Sequence, residues 1–298
     1  MPRRIESNVV VKARLIALAL IMEILTGCRT FSRHFEINYD TPADPKLQHR
    51  LEEIDANVRE KFGIPPELTD VGILDLRDHR LAMIHPDEME YAASVAKVGI
   101  LLAWFQKHPE AATQLDPQTQ HELGLMIKVS SNEMATKFSR QLGIPQVQQV
   151  LDEYGFYDED HGGGIWFGKH YGPNSDRIRD PIANQVHGVT VRQLVRFYYL
   201  LDQRKLVSPA ASEKMREIFL SPDIPHDENK FVRGLAGRGL TILRKSGTYE
   251  EWLHDSALIE GPNRRYILVA LTRHPCGDQY LEELARQVDD YLNPSASR

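Results

Sequence analysis

Residues 91–100 read YAASVAKVGI and contain a serine and a lysine three positions apart. Periodicity predicts that a helix starts here, and side chains at positions i and i+3 lie on the same face of a helix. Ser94 and Lys97 would therefore present a hydroxyl and an amine side by side. Two interpretations stay open on these residues alone. Either Ser94 caps the helix and Lys97 is a solvated cation, or the two form a nucleophile and its base.

Segments that are typical of β-strands lie on both sides of a long helical middle region. The apolar runs 71–76 and 81–85 predict a hairpin before Ser94. Further strands are predicted near the end of the chain, at 240–247, 254–260 and 265–272. Amphipathic helices are predicted at 45–63 and 281–292. The predicted fold class is therefore α+β, an antiparallel sheet with terminal helices and an inserted all-α subdomain.

Two other short motifs occur once each in the chain. Ser130, Ser131 and Asn132 stand in a turn between two helical segments, where serine and asparagine are common as caps. Lys245, Ser246, Gly247 and Thr248 stand at the end of a predicted strand, where a glycine marks either a bulge or the close approach of a ligand or backbone. Each motif alone has an ordinary structural explanation.

The combination of S-x-x-K, S-x-N and K-S-G, in this order, resembles the penicillin-recognising serine hydrolases and, within them, the class A β-lactamases. The resemblance covers about residues 46–295. It implies that Ser94 is the nucleophile, Lys97 its base, Ser130 a proton relay and Lys245 an electrostatic partner. Substrate binding would fall to Asn132, Ser246, Gly247 and Thr248, with the backbone N–H groups of Ser94 and Thr248 binding the developing oxyanion.

One part of the class A pattern is missing. The loop with Glu-Pro-x-Leu-Asn, whose glutamate directs the deacylating water, is replaced by a glycine-rich stretch that holds Trp166, Phe167 and Tyr171. We expect these aromatic residues to pack the loop, or alternatively to line the cleft. The nearest acid is Asp180, expected to cap the following helix or to pair with Arg177 or Arg179 and alternatively to serve as the base. Without a deacylating carboxylate, the acyl-enzyme would hydrolyse slowly.

The predicted function is a serine hydrolase or acyltransferase that forms an acyl-enzyme with a β-lactam or a D-Ala-D-Ala-type substrate. The alternatives are an esterase or peptidase acting on another acyl compound, and a non-catalytic cell-wall binding protein of the same fold. Arg233, Arg238 and His254 are possible partners for a substrate carboxylate, and the sequence does not rank them. No cofactor is implied, because side chains and water complete the mechanism, and the oligomeric state is not indicated.

The first residues of the chain resemble a bacterial lipoprotein signal peptide. Four cations in residues 1–14 precede an apolar run that is too short to span a membrane and ends at Thr26-Gly27-Cys28. We expect lipidation at Cys28 and a location at the bacterial cell envelope, with the membrane as partner through that anchor. Glu23 interrupts the apolar run, so simple secretion, an uncleaved anchor and a cytoplasmic start are the alternatives.

The predicted organisation has three parts. These are a signal peptide at 1–27, a linker at 28–45 and a catalytic domain at 46–298, whose α/β part is 46–93 with 236–298 and whose helical part is 94–235.

Composition excludes other classes of protein. The formal net charge is -6 with no basic aromatic stripe, which argues against nucleic acid. Two cysteines exclude a disulfide framework, and the histidines show no metal-ligand spacing.

Overall fold

The structure is a computed structural model that describes residues 35–172 and 175–294. Its strands are β1 (Thr69–Asp75), β2 (Arg80–Ile84), β3 (Glu90–Tyr91), β4 (Tyr157–Asp158), β5 (Gly163–Gly164), β6 (Trp166–Phe167), β7 (His187–Val189), β8 (Thr241–Tyr249), β9 (Trp252–Gly261) and β10 (Arg264–Thr272). Its helices are α1 (Pro45–Phe62), α2 (Lys97–Lys107), α3 (Ala111–Gln114), α4 (Pro117–Lys128), α5 (Asn132–Leu142), α6 (Ile144–Glu153), α7 (Val191–Asp202), α8 (Pro209–Leu220), α9 (Lys230–Gly234) and α10 (Gly277–Leu292), with 3-10 turns at Pro66–Leu68 and Glu159–His161.

Five strands from the two ends of the folded chain form one antiparallel sheet. The strand order is β2-β1-β10-β9-β8, so β1 and β2 join three strands that lie far along the sequence. In β1 and β10, Thr69 stands opposite Thr272, and in β8 and β9, Lys245 stands opposite Ser256. The helical region lies between β2 and β8 in sequence. The α+β prediction, with terminal helices and an inserted helical part, is confirmed.

One face of the sheet is covered by the two terminal helices. Their apolar stripes, at spacings of three and four, face the sheet in a common core. This core includes Leu47, Leu51, Ile54 and Val58 of α1 and Leu281, Leu284 and Val288 of α10, all fully or almost fully buried. On β1, a Cβ at Gly72 would lie 2.5 Å from Val191 of α7, so this glycine lets α7 approach the sheet closely.

The segment just before α1 belongs to the folded unit. Ile37 is buried, and Arg192 of α7 donates a hydrogen bond of 3.0 Å to the carbonyl of Asn38. Gln193 donates one of 2.9 Å to the hydroxyl of Tyr39. The linker that we expected to reach residue 45 therefore ends earlier, since Asn38 and Tyr39 are held by side chains of α7 and the N–H of Asp44 binds the carbonyl of Leu81 on β2. The expected signal peptide and Cys28 lie outside the described residues.

Across residues 35–172 and 175–294, every helix falls short of the length or the apolar character that crossing a bilayer requires.

Candidate active site

A tight turn after β3 carries Ser94. The turn is closed by a hydrogen bond of 2.9 Å from the N–H of Val95 to the carbonyl of Ala92, and Ala93 has a φ of 47°. A positive φ is unusual for alanine and costs free energy that the surrounding contacts must supply. Helix α2 begins at Lys97, and its buried apolar residues fix this helix inside the helical region. Ser94 therefore stands on a constrained turn that aims it at the first residue of α2.

Lys97 is fully buried at the centre of the site. Its Nζ donates hydrogen bonds to Ser94 Oγ at 3.0 Å, to the carbonyl of Ser130 at 2.6 Å and to Asn132 Oδ1 at 2.7 Å. Burial lowers the pKa of Lys97 from 10.5 to about 7, because the protein interior solvates an ammonium poorly. A large fraction of this amine is therefore neutral near pH 7. In that state its lone pair can accept the Ser94 proton while its two N–H groups keep the other acceptors.

Ser130 joins the two lysines of the site. It ends the turn after α4 with a φ of 56°, and Ser131 then caps α5 by accepting a hydrogen bond of 3.2 Å from the N–H of Met134. The Ser130 carbonyl contacts Lys97, and the Ser130 hydroxyl oxygen accepts a hydrogen bond from Lys245 Nζ. The structure thus places Ser94, Lys97, Ser130 and Lys245 in one continuous hydrogen-bonded chain.

Strand β8 delivers Lys245 from the opposite side of the site. Lys245 is fully buried, and its pKa lies well below the usual value, because of burial first and the nearby Lys97 second. Its neighbour Arg244 is paired with Asp255 on β9 at 2.7 Å, and Ser256 donates a hydrogen bond of 2.8 Å to the Lys245 carbonyl. The electrostatic partnership expected of Lys245 is seen as a lowering of its own pKa by Lys97, whereas the pKa of Lys97 is lowered by burial.

Gly247 lets β8 approach the turn that carries Ser94. A Cβ at Gly247 would lie 3.0 Å from the carbonyl oxygen of Ala92 and 3.0 Å from the side chain of Val95. A larger residue would push the strand away from the turn. The glycine in K-S-G is therefore explained by the close approach of two backbone segments, which also brings Thr248 beside the turn. Ser246 is half-buried and Thr248 is exposed.

A buried lysine behind β8 was missed by the sequence analysis. Lys230 is 1% exposed, and its Nζ donates to Thr248 Oγ1 at 2.7 Å and to the carbonyl of Gly247 at 2.8 Å. Burial is the main cause that lowers its pKa, against the raising effect of Asp255 and Asp278. A single lysine between Asn229 and Phe231 gives no motif, so only the fold reveals this contact.

The three residues proposed as partners for a substrate carboxylate contact other groups of the protein. Arg238 is paired with Asp289 and Asp290, and Arg233 lies near Glu282 at 3.7 Å. The buried His254 uses both ring nitrogens, one on the carbonyl of Tyr91 at 2.8 Å and the other on the N–H of Thr272 at 3.1 Å. Lys230 is the cation that touches the K-S-G-T segment from behind.

Asp180 is buried inside its own loop. Its carboxylate accepts hydrogen bonds from the backbone N–H groups of Ile182 at 3.0 Å, Ala183 at 2.7 Å and Gln185 at 2.5 Å. Both oxygens accept backbone N–H groups, so Asp180 stabilises the turn at 180–185. It caps a turn and not the expected helix.

Tyr171 lines the site, whereas packing of the loop was the preferred expectation. Its ring centroid lies 4.4 Å from Lys97 Nζ, and its hydroxyl donates a hydrogen bond of 2.8 Å to the carbonyl of Ala93. Trp166 packs on Tyr157 and Phe167 is buried, so those two aromatic residues do pack the loop. The sequence offered no signal that distinguishes Tyr171 from its neighbours.

In the part of the chain that the structure describes, no group of three or more histidine, cysteine, aspartate or glutamate residues could hold a metal ion. The arrangement places the Ser94 hydroxyl and the Ser130 hydroxyl each against a buried amine of lowered pKa. These are the parts that acyl transfer through a serine ester requires.

The fold and this constellation define the β-lactamase and penicillin-binding class of architecture. The model of the β-lactamase enzyme family matches residues 116–292, which is more than half of the chain. The chain belongs to the β-lactamase enzyme family. The matched region includes Ser130 and the K-S-G motif and begins after Ser94 and Lys97.

Solved structures of low sequence identity share the fold. The β-lactamase from Sphaerobacter thermophilus DSM 20745 is 14% identical, with a TM-score of 0.66, over 82% of this chain and 97% of that one. The class A β-lactamase from Mycobacterium abscessus is 16% identical, with a TM-score of 0.65, over 82% and 99%. A mutant of PBP-A, determined as an acyl-enzyme complex with penicillin G, is 17% identical, with a TM-score of 0.62, over 85% and 100%. Among curated proteins, none matches this chain.

Proposed function

We propose that this protein is a serine acyl-transfer enzyme that forms an acyl-enzyme at Ser94 with a β-lactam or a D-Ala-D-Ala-type peptide. The observation that carries this proposal is the position of Ser130, whose carbonyl binds Lys97 and whose hydroxyl binds Lys245. A binding protein has no need for two buried lysines that are joined through Ser130, one of which also binds the hydroxyl of Ser94. Burying amines is costly, and here each buried amine faces a group with a role in acyl transfer.

Acylation would follow this chain of contacts. Neutral Lys97 takes the proton of Ser94 as Oγ attacks the carbonyl carbon, and the new Oγ–C bond forms a tetrahedral oxyanion. The backbone N–H groups of Ser94 and Thr248 stabilise that charge, held close by the packing of Gly247 on the turn. The amide C–N bond then breaks, and Ser130 donates its proton to the leaving nitrogen. Ser130 regains a proton from the lysines, so protons balance over the step.

Substrate binding is proposed to use the polar groups around this centre. Asn132 would hold the substrate amide, as its Oδ1 already accepts from Lys97. The hydroxyls of Ser246 and Thr248, with Lys245 and Lys230 behind them, would bind a substrate carboxylate. Lys230 is the second amine beside this segment, which the sequence did not identify.

The acyl-enzyme is proposed to be long-lived. The part of the chain that the structure describes places no carboxylate in an ion pair with Lys97, and Asp180 is occupied by backbone N–H groups. The penicillin acyl-enzyme of the PBP-A mutant supports the substrate class. Slow deacylation would make the protein a penicillin-binding acyltransferase rather than an efficient β-lactamase.

The test is the intact mass of the full chain, followed for minutes and hours after addition of benzylpenicillin, with Ser94→Ala as control. A persistent adduct of one penicillin that the control lacks is expected. An adduct that appears and disappears while the drug is consumed would indicate an efficient β-lactamase. If folded protein gives no adduct and the drug is not consumed, the penicillin substrate class is wrong. Turnover of a chromogenic ester would then identify an esterase.

We also propose export and lipid anchoring at Cys28, on the strength of the N-terminal pattern of residues 1–28. The measurement is the mass of the protein isolated from bacterial membranes, for the wild type and for Cys28→Ala. A lipid adduct on an N-terminal Cys28, absent from the variant, is expected. An unmodified wild-type chain with its initial methionine would rule out the anchor.

A further inference from the structure

Lys97 is enclosed by four groups, and one of them is an aromatic ring. Three acceptors surround its Nζ on Ser94, Ser130 and Asn132, at 2.6 to 3.0 Å. The ring of Tyr171 lies on the remaining side, 4.4 Å from Nζ to the ring centroid. Lys97 is fully inaccessible to solvent as a result. Water therefore has no direct approach to this amine.

The ring of Tyr171 is held in place by a stack of aromatic rings. It stacks on His187, with ring centroids 4.5 Å apart and ring planes 10° from parallel. The ring of Phe167 also contacts His187, with ring centroids 5.2 Å apart. Burial lowers the pKa of His187 to about 3, so this imidazole stays neutral and adds no charge that would oppose Lys97. The stack fixes the plane of the tyrosine ring over the amine.

Two further contacts anchor the loop that carries Tyr171. The preceding His170 shares a hydrogen bond of 2.8 Å with Ser139 of α5, and a Cβ at Gly172 would lie 3.2 Å from Thr136 on the same helix. The Tyr171 hydroxyl also binds the carbonyl of Ala93, directly before the nucleophile. Tyr171 is thus tied to the helix of Asn132, to the turn of Ser94 and to the base.

Deacylation needs a water molecule close to a base. The water oxygen must bond to the ester carbonyl carbon while its proton passes to neutral Lys97, and the carbon–Oγ bond must then break as Ser94 Oγ takes that proton. Every atom of this step is supplied by water, the ester and Lys97. The step requires space for water beside Nζ, and the tyrosine ring fills that space.

We propose that Tyr171 is a positioning residue whose ring keeps water away from Lys97 after Ser94 is acylated, and so prolongs the life of the acyl-enzyme. This inference rests on the proposed function. The ring covers the base, and its hydroxyl steadies the turn of the nucleophile. Acylation needs no water molecule and therefore proceeds with the ring in place. Hydrolysis of the acyl-enzyme is suppressed, because the ring excludes the water that it requires.

The test compares acyl-enzyme lifetimes in the full chain. Wild type, Tyr171→Phe, Tyr171→Leu and Tyr171→Ala are acylated with benzylpenicillin, freed of excess drug, and followed by intact mass. Tyr154→Ala is the matched control, because it removes a tyrosine whose hydroxyl binds a backbone N–H elsewhere in the helical region. Thermal melting verifies that each variant is folded.

Opening the cover should change hydrolysis selectively. Tyr171→Ala is expected to shorten the acyl-enzyme half-life about 100-fold or more, the lower end of what a general base such as Lys97 typically contributes when it can act on water. Tyr171→Phe and Tyr171→Leu, which still fill the space, should stay within about twofold of wild type. If the alanine variant does not fold, Tyr171→Val opens a smaller gap and should shorten the half-life in the same direction but less. An unchanged half-life in folded alanine or valine variants, or an equal loss in acylation and deacylation, would overturn the proposal.

A second acyl donor separates this inference from the proposed function. p-Nitrophenyl acetate acetylates an activated serine without requiring recognition of penicillin. If penicillin gives no adduct but Ser94 is acetylated, the proposed substrate class fails while the acetyl-enzyme lifetimes still decide the role of Tyr171. If neither reagent modifies Ser94, both proposals are overturned.

Discussion

A carboxylate placed beside Lys97 should remove the base at neutral pH. Asn132 Oδ1 lies 2.7 Å from Lys97 Nζ, and Asn132→Asp would put a negative charge there with little change in shape. An opposite charge at such a distance favours the ammonium and raises the pKa of a neighbouring amine by about one to three units. If two units are taken, the pKa of Lys97 would rise from about 7 to about 9.

The expected loss of rate follows from the neutral fraction of the amine. With a pKa of about 7, roughly half of Lys97 is neutral at pH 7, and with a pKa near 9 about one molecule in a hundred is. The second-order rate constant for acylation by benzylpenicillin should therefore fall about 50-fold at pH 7 and recover as the pH approaches about 9. Since Lys97 acts in its neutral form, the rate rises with pH in both proteins, and the midpoint of that rise moves upward in the variant.

The assay is the acylation rate constant between pH 5 and 10, from intact mass or stopped-flow fluorescence. Asn132→Ala is the control. It removes the same substrate contact without adding charge, so its rate should fall at every pH while its midpoint stays at or below that of the wild type. Coincident midpoints for wild type and Asn132→Asp would refute Lys97 as the titrating base.

Three further predictions concern residues around this centre. Asp180→Asn should lower the free energy of unfolding by about 1–3 kcal/mol, because backbone N–H groups lose a charged acceptor, and should leave the acyl-enzyme half-life unchanged. Chemical denaturation and intact mass measure the two effects, and a longer half-life would instead make Asp180 the deacylating base. Lys230→Met should slow acylation by benzylpenicillin more than acetylation by neutral p-nitrophenyl acetate, and equal losses with both reagents would exclude a role in carboxylate binding. Gly247→Val should keep a cooperative thermal transition but reduce acylation by about 100-fold, as expected when one oxyanion donor is displaced, and wild-type rates in this variant would refute the proposed position of β8.

The sequence predicted the parts of the site whose chemistry is local. Ser94 and Lys97 share a helix start, and the S-x-N and K-S-G motifs each occupy a few consecutive residues, so their spacing could be read directly. The structure brings all three motifs together. The strands were predicted because their apolar runs are long and bounded by turns.

Residues that act across loops could not be found in this way. Lys97 and Tyr171, and Lys230 and Thr248, are neighbours only through tertiary structure. Tyr171 stands among aromatic residues that pack the loop, and no spacing rule separates the one that reaches the site. For Asp180 the sequence suggested a role that the structure does not support. Its segment resembles the family loop, but its carboxylate accepts backbone N–H groups and stabilises its own turn.

The pairing of β1 with β10 has a consequence for how the protein reaches its active form. Residues Thr69 to Asp75 of β1 pair with residues of β10 that lie about two hundred positions later in the sequence. Pairings between such distant segments form slowly, because a long loop must first close. The helices around Lys97 can form from local contacts, whereas β8 is positioned only when the sheet is assembled. The proposed nucleophile and its base can thus come together before the strand that is proposed to stabilise the oxyanion, and the proposed reactivity toward penicillin would be the last property to return during refolding.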